Sequence, residues 1–146
     1  MKMPEYITPA EVRRVCRELG ISDWSKKKKA SVTMAEAKKI LRHMKLISMK
    51  VDPEQFRAGL EVELEHGIMF PDYNVTANHP IITGRIVMAH FMEMLDYYYR
   101  LEKAELEGDL LKAVRKGDAK KALNYMKRLA AASAELAASD TRALKG

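Results

Sequence analysis

The sequence predicts an all-α protein, a small orthogonal bundle of about five to six helices that ends in a helical hairpin. Three observations lead to this class. Helix-start patterns recur along the chain, apolar residues repeat at helical rather than strand spacing, and seven glycines and five prolines are too few for a turn-rich chain. We identify no segment that favours a strand and no internal repeat.

Three helix starts in the first half share one capping chemistry. Thr8 and Thr33 are hydroxyl caps that precede a glutamate by three residues, and Asp52 is a carboxylate cap followed by a proline. These patterns predict helices over residues 8–19, 33–47 and 52–67. Gly20 and Gly67 are the expected stops, because glycine readily takes the left-handed backbone that ends a helix.

The second half of the chain is also predicted to be helical. Pro80 opens a long helix to about Glu107, which Gly108 is expected to break or kink. Gly117 and Asp118 are typical of a helix stop followed at once by a new cap. The predicted elements here are helices over residues 80–107, 109–116 and 118–138.

The charge of the chain is segregated along its length. The formal net charge of +6 divides into +8 for residues 1–50, −7 for residues 51–107 and +5 for residues 108–146. Basic flanks around an acidic centre can fold against it, or can offer positive surface to nucleic acid or another anionic partner.

The single cysteine and the distribution of apolar residues indicate the cellular compartment in which we expect the protein. Cys16 excludes an intrachain disulfide, which suits a reducing compartment, and its place in an amphipathic run favours a core residue over a reactive thiol. The chain starts without an apolar signal core, and it has no stretch of about 18 apolar residues. We therefore expect no membrane association and a cytoplasmic location, or a virion location if the protein is phage-encoded.

Two helices place acidic and imidazole side chains on apolar faces. Glu63 falls between Leu60 and Leu64 in helical angle, and His66 follows it by three residues. In the next helix His90 lies at the centre of an apolar face, with Glu93 three residues later. Carboxylate and imidazole at this spacing on facing helices can form a metal site in a bundle.

Three interpretations of this Glu/His cluster stay open. The four side chains could bind Zn, Fe or Mn, with Asp96 and Tyr97 as supporting partners around them. Alternatively, Glu63 and His90 could satisfy each other as a hydrogen-bonded ion pair. Catalysis is the least favoured, because no nucleophile, oxyanion loop or phosphate loop accompanies the cluster, so an enzymatic role is uncertain.

A basic loop is a second candidate site. Trp24 lies beside four consecutive lysines, which could contact phosphates while the indole stacks on a base. The favoured alternative is a solvated loop whose tryptophan packs on the core. The lysines concerned are Lys26, Lys27, Lys28 and Lys29.

Several phrases in residues 56–102 resemble an uncharacterised domain family of bacterial, phage and environmental genomes. The phrases are Phe56-Arg57-Ala58-Gly59-Leu60-Glu61-Val62-Glu63-Leu64-Glu65-His66-Gly67, Asn74-Val75-Thr76, Thr83-Gly84-Arg85-Ile86, Ala89-His90, Glu93, Asp96-Tyr97-Tyr98 and Arg100-Leu101-Glu102. The resemblance implies no activity, but its signature positions include the four residues of the Glu/His cluster.

Two departures from the family pattern carry expectations. Asn78-His79 stands where the family has acidic residues, so His79 could add a ligand or supporting partner to the cluster. Leu95 stands where the family has a proline, which should let the long helix continue unbroken. We expect a single domain over residues 1–146, with a family-like core of about 52–107, basic helices over 8–47 and an added hairpin over 109–138.

Three functions from different classes follow from these patterns. The first is a metal-binding or carboxylate–histidine helical module. The second is a structural or assembly protein that forms homo-oligomers through its apolar central helix and ten methionines. The third is a protein that binds nucleic acid through its basic flanks, by charge and shape.

Overall fold

The computed structural model describes residues 7–45 and 49–145 of the chain, and within them it confirms the all-α class. Short 3₁₀ turns occur at Trp24–Lys26 and Pro71–Tyr73. The described residues contain no β-strand. The α-helices are α1 (Pro9–Leu19), α2 (Met34–Leu41), α3 (Pro53–Met69), α4 (Pro80–Glu93), α5 (Tyr97–Arg115) and α6 (Ala119–Lys145).

The predicted caps are formed. Thr8 accepts a hydrogen bond from the Glu11 N–H at 3.2 Å, and Asp52 accepts one from the Glu54 N–H at 3.1 Å. Thr33 and Glu36 form a complete capping box. These bonds satisfy amide groups that the first turn of a helix leaves without intrahelical partners, so local sequence alone sets three helix starts.

The predicted long helix over residues 80–107 is wrong, and so is the expectation that Leu95 lets it continue. Met94 is extended (φ −161°, ψ 137°), and a new helix begins after Asp96. Arg100 binds the Asp96 carboxylate through N–O distances of 3.1 and 2.7 Å. Asp96 makes no side-chain cap hydrogen bond, but an acidic residue at a helix start interacts favourably with the helix dipole and so supports a start without any proline.

Other predicted helix boundaries are also shifted in the structure. Gly67 lies inside α3 and Gly108 inside α5, so neither ends a helix. The predicted 109–116 helix is therefore the last part of α5. α6 runs beyond Ala138 to Lys145, whereas α2 already ends at Leu41. Residues 46 and 47, the end of the predicted second helix, lie outside the described residues.

The chain divides into two compact units, residues 1–95 and 96–146. We call the first, with α1 to α4, the N-terminal unit and the second, with α5 and α6, the C-terminal hairpin. The hairpin therefore starts earlier than the predicted residue 109, because α5 begins at Tyr97. The single-domain prediction stays a prediction.

The N-terminal unit has a fully buried core. The side chains of Trp24, Ile40, Phe56 and Leu60 have no exposed surface. Gly84 lets α4 approach this core closely, because a Cβ there would lie 2.9 Å from Ile40 Cγ2 and 3.3 Å from Phe56 Cζ. α2, α3 and α4 therefore pack together around aromatic and branched side chains.

In the C-terminal hairpin, α5 and α6 run antiparallel around a turn at Gly117, which has a φ of 68°. Two ion pairs join the helices: Arg128 with Glu102 at 3.6 Å, and Arg100 with Asp140 at 2.5 Å. The predicted helical hairpin at the end of the chain is confirmed, and its turn uses the backbone conformation that glycine adopts most readily.

Candidate functional site

The structure brings Glu63 of α3 and His90 of α4 together. Glu63 Oε1 lies 3.5 Å from His90 Nε2, an ion-pair distance when the imidazole is protonated. Their side chains are 15% and 28% exposed, so the pair is partly desolvated at the rim of the core. Helical periodicity therefore identified two polar residues that meet across a helix–helix contact.

The other two predicted ligands are placed differently. Glu93 Oε2 lies 4.0 Å from His90 Nδ1, but the glutamate side chain is 67% exposed. His66 is exposed. His90 therefore lies between two carboxylates, one mostly buried and one exposed.

Within residues 7–45 and 49–145, no three His, Cys, Asp or Glu side chains come together as a group that could hold a metal ion. The geometry offers the Glu63–His90 pair, whereas structural and catalytic zinc sites use three or four protein ligands. Binding of Zn, Fe or Mn at the four-residue cluster stays a prediction from the sequence.

The three residues expected to support the cluster have other partners. His79 is the N-cap of α4, where its Nδ1 accepts a hydrogen bond from the Ile82 N–H at 3.4 Å. It lies eleven positions before His90, about 16 Å away along the helix axis. Asp96 binds Arg100, and Tyr97 packs edge-on against Tyr98 with ring centroids 5.1 Å apart.

Burial shapes the chemistry of two further side chains in the N-terminal unit. It lowers the pKa of His79, because the charged imidazolium is poorly solvated there. It raises the pKa of the Cys16 thiol, which also accepts a hydrogen bond from the Trp24 N–H. Cys16 is thus a buried, protonated core residue, as the amphipathic run predicted.

Trp24 is not available for base stacking. Its side chain has no exposed surface, and its indole N–H donates to Glu36 Oε1 at 3.3 Å. This is the alternative in which the tryptophan packs on the core. Lys27 is also engaged, because its Nζ donates to the Ser31 carbonyl and lies 5.6 Å from the Trp24 ring centroid. Lys26, Lys28 and Lys29 remain exposed.

Glu36 is a buried carboxylate that the sequence interpretation treated only as part of a cap. Besides Trp24, it accepts hydrogen bonds from the Ser22 hydroxyl and from the Thr33 N–H. Burial alone would raise the pKa of Glu36, but these bonds and the nearby Lys27 charge outweigh it and lower the pKa to about 2. A signal was present, since Ile40 lies one turn later on the same helix face.

Several residues that carried the family resemblance hold the α3–α4 connection. The Asn74 amide donates to the Gly67 carbonyl at 3.1 Å and to Asn78 Oδ1 at 2.9 Å. The Thr76 hydroxyl donates to Asn74 Oδ1 at 3.1 Å. A Cβ at Gly67 would lie 2.7 Å from Asn78 Oδ1, so glycine is needed for this contact. These phrases therefore encode a loop structure.

The α1–α2 half of the N-terminal unit is strongly basic. Residues 7–45 contain eleven Lys and Arg and four Asp and Glu, a net charge of +7. Residues 51–95 contain two Lys and Arg and seven Asp and Glu, a net charge of −5. One folded unit thus carries a positive half and a negative half.

The fold and these side chains define a small all-α protein with a half-buried Glu–His pair and a basic helical face. The chain belongs to the family described as "Protein of unknown function (DUF5661)", whose family model matches residues 12–107. No curated protein and no solved structure matched the chain. Over the described residues, no helix has both the length and the apolar character that crossing a bilayer requires.

Proposed function

We propose that the protein binds the phosphate backbone of nucleic acid through the basic face of α1, the Trp24–Lys26 turn and α2. The main support comes from the four acidic side chains in residues 7–45, each of which already has a hydrogen-bond or ion-pair partner within this region. The surplus of positive charge therefore stays available to an anionic partner.

The acidic residues are engaged in three ways. Glu11 and Glu18 both bind Arg14, at 2.7 and 2.6 Å. Asp23 accepts hydrogen bonds from Ser25, which lower the pKa of its carboxyl group, and lies 3.9 Å from Lys26. Glu36 is buried, as described above. These carboxylates therefore offset charge on Arg14, Lys26 and Lys27, and the other cations of residues 7–45 keep theirs.

Six exposed cations of residues 7–45, on the two helices and in the loops beside them, have no carboxylate of the described residues within ion-pair distance. They are Arg17, Lys28, Lys29, Lys38, Arg42 and Lys45. Flexible, solvated cations of this kind suit phosphate contacts, because neutralising phosphates releases condensed counterions from the nucleic acid.

A surface cleft beside α1 brings together three cations of this basic half. It has a volume of about 290 Å³. Arg13 and Arg17, one helical turn apart, line it together with Lys26, Asp23, Cys16 and Ile21. Guanidinium groups bind phosphate in a bidentate geometry, so this cleft is the expected centre of contact.

The mode of recognition follows from the burial of Trp24. With the indole enclosed, residues 7–45 present no exposed Phe, Trp or Tyr ring of the kind on which single-strand binders stack bases, so contacts to phosphates dominate. We expect sequence-independent affinity that falls steeply as salt concentration rises.

Fluorescence anisotropy with short labelled duplex DNA and duplex RNA, measured over a series of salt concentrations, tests this function. We expect Arg17→Gln to lower the slope of log Kd against log salt by about 1, as for one lost phosphate contact. The double variant Arg13→Gln with Arg17→Gln should lower it by about 2.

Arg85→Gln is the matched control. It removes one exposed arginine from the same folded unit, but from α4 in the acidic half, and should leave the slope unchanged. Binding that is absent at low salt, or that weakens equally in the Arg17 and Arg85 variants, would contradict the proposal.

A further inference from the structure

The C-terminal hairpin exposes four large apolar side chains near its turn. Leu111 and Val114 of α5 are 60% and 59% exposed, and Leu123 and Met126 of α6 are 54% and 55% exposed. We call these four residues the hairpin face. Isolated exposed apolar residues are ordinary, but four of them close to one turn mark a surface that a partner can cover.

Helix geometry places Val114 and Leu123 on one side of the hairpin, and Leu111 and Met126 lie three residues from them on their own helices. The buried positions next to the turn are Ala113 and Ala122. Val114 comes directly after Ala113, and Leu123 comes directly after Ala122. Each is therefore rotated by about 100° from its buried alanine, in the direction in which its own helix winds. In an antiparallel pair of right-handed helices, this rotation brings both side chains out on the same side of the pair.

The hairpin face is surrounded by positive charge. Lys120 and Lys127 lie three residues before and four residues after Leu123, and Arg115 lies four residues after Leu111. For these three cations, too, the described chain supplies no carboxylate within ion-pair distance. Residues 109–128 contain seven Lys and Arg and two Asp and Glu, a net charge of +5.

This charge disfavours a symmetric dimer of two hairpin faces. A two-fold axis would set two copies of the same positively charged patch against each other. Like charges facing each other across an interface oppose association. The hairpin face therefore requires a partner surface that is apolar and acidic.

The N-terminal unit carries a surface of that kind after α3. Met69, Phe70, Tyr73 and Val75 are 59%, 49%, 83% and 83% exposed. We call these four residues the loop segment. Residues 61–75 contain four Asp and Glu and no Lys or Arg. Glu61 binds Arg57 and Glu63 lies beside His90, so the exposed carboxylates of Glu65 and Asp72 supply the negative charge of this surface. Glu65 lies one helical turn before Met69, so its carboxylate borders the apolar residues.

We infer that the hairpin face of one copy of the protein docks on the loop segment of a second copy. Both surfaces are apolar at their centres, and their charges are opposite. Tyr73, a large aromatic residue that is mostly exposed, is the expected anchor of the contact. Because the two surfaces differ, the contact is head-to-tail and leaves one free surface at each end of a dimer.

Sedimentation velocity over a range of protein concentrations, on protein freed of nucleic acid, tests the inference. We expect reversible association of the unaltered protein beyond the monomer. Leu123→Asp and Tyr73→Lys should each raise the dissociation constant by at least about tenfold, since each removes an apolar contact and adds a repelling charge. Leu111→Asp provides a second variant of the hairpin face on the other helix.

Leu144→Asp is the matched control, because Leu144 is a leucine of the same helix that is 88% exposed and lies far from the turn. It should associate like the unaltered protein. Circular dichroism of each variant separates a lost contact from lost helix.

Mixing the two single-surface variants distinguishes a head-to-tail contact from a symmetric one. Leu123→Asp retains an intact loop segment and Tyr73→Lys an intact hairpin face, so a mixture should form one-to-one dimers that grow no further. A monomer at every concentration, association unaffected by both variants, or a mixture that stays monomeric would overturn the inference. The measurement contains no nucleic acid, so its result is independent of the proposed phosphate binding.

Discussion

In the N-terminal unit, four helices enclose side chains as large as Trp24 and Phe56 with no exposed surface. In the C-terminal hairpin, two helices enclose alanines next to the turn, Ala113 and Ala122, while Leu111 and Leu123 stay more than half exposed. Two helices share one contact surface, whereas four can surround a core. The first unit can thus be stabilised by a core of large side chains. The hairpin buries Leu106 and Leu136 farther from its turn, and near the turn it leaves apolar surface for a partner.

The two units also differ in how their charges are arranged. The N-terminal unit separates its charges into a basic α1–α2 half and an acidic α3–α4 half. The hairpin concentrates positive charge near its turn, between residues 109 and 128. Basic surfaces of different make-up suit different partners: the α1–α2 face presents cations alone, and the hairpin face combines cations with apolar side chains.

The largest expected difference between the two units is in how a leucine-to-alanine substitution changes the free energy of unfolding. Leu60→Ala should lower the free energy of unfolding by about 3–5 kcal/mol, because Leu60 is fully buried and its removal leaves a cavity. Leu123→Ala, on the hairpin face, should change it by no more than about 0.5 kcal/mol. Denaturant unfolding of the dilute protein measures both, and similar losses would show that the two units do not differ in burial.

The buried Glu36 gives the N-terminal unit a pH dependence. Its pKa is lowered from 4.5 to about 2 in the folded protein. A carboxylate with a lowered pKa contributes stability that is fully present above pH 4.5 and is lost as the pH falls toward 2. The shift corresponds to roughly 3 kcal/mol.

Unfolding measured from pH 6 to pH 2 should therefore show a flatter acid dependence for Glu36→Gln than for the unaltered protein. Glu135→Gln, on the exposed surface of α6, is the control and should retain the original dependence. Equal acid dependence in the Glu36 variant and the unaltered protein would mean that this carboxylate is not the group that senses pH.

The smallest effects come from two glycines that have opposite surroundings. Gly84→Ala should lower the free energy of unfolding by about 1–3 kcal/mol, because the new Cβ would lie 2.9 Å from Ile40 Cγ2 inside a packed core. Gly108→Ala in α5 meets no atom within 4 Å and should raise it by about 0.5–1 kcal/mol. Thermal unfolding shows whether each variant is less or more stable than the unaltered protein. A stabilising Gly84→Ala would mean that α4 does not approach α2 closely.

The sequence predicted the helical class and three helix starts, because a cap depends on residues within one turn of each other. It also predicted that Glu63 and His90 lie on inward faces, since helical periodicity fixes the direction of a side chain. It did not predict where α4 ends. Asp96 starts a new helix through contacts that a search for proline and glycine does not detect.

In the candidate sites, too, local roles could be predicted from the sequence and long-range contacts could not. Glu36 was assigned only a local capping role, because its bonds to Ser22 and Trp24 join residues 12 to 14 positions apart. For Trp24 the sequence favoured packing on the core, but it left open the alternative that the indole is exposed and stacks on a base. Exposure depends on what the rest of the chain places against a side chain, and a loop sequence does not contain that information.

By itself, the sequence determined the helical class, the caps at Thr8, Thr33 and Asp52 and the alternation of basic and acidic segments. These properties depend on hydrogen bonds within one turn, on helical periodicity and on composition, which are local or additive. Only the tertiary structure decided that Glu63 meets His90, that Glu36 is buried and that the hairpin keeps an apolar face. Each of these depends on distances between residues far apart in the chain, which only the packing of the helices sets.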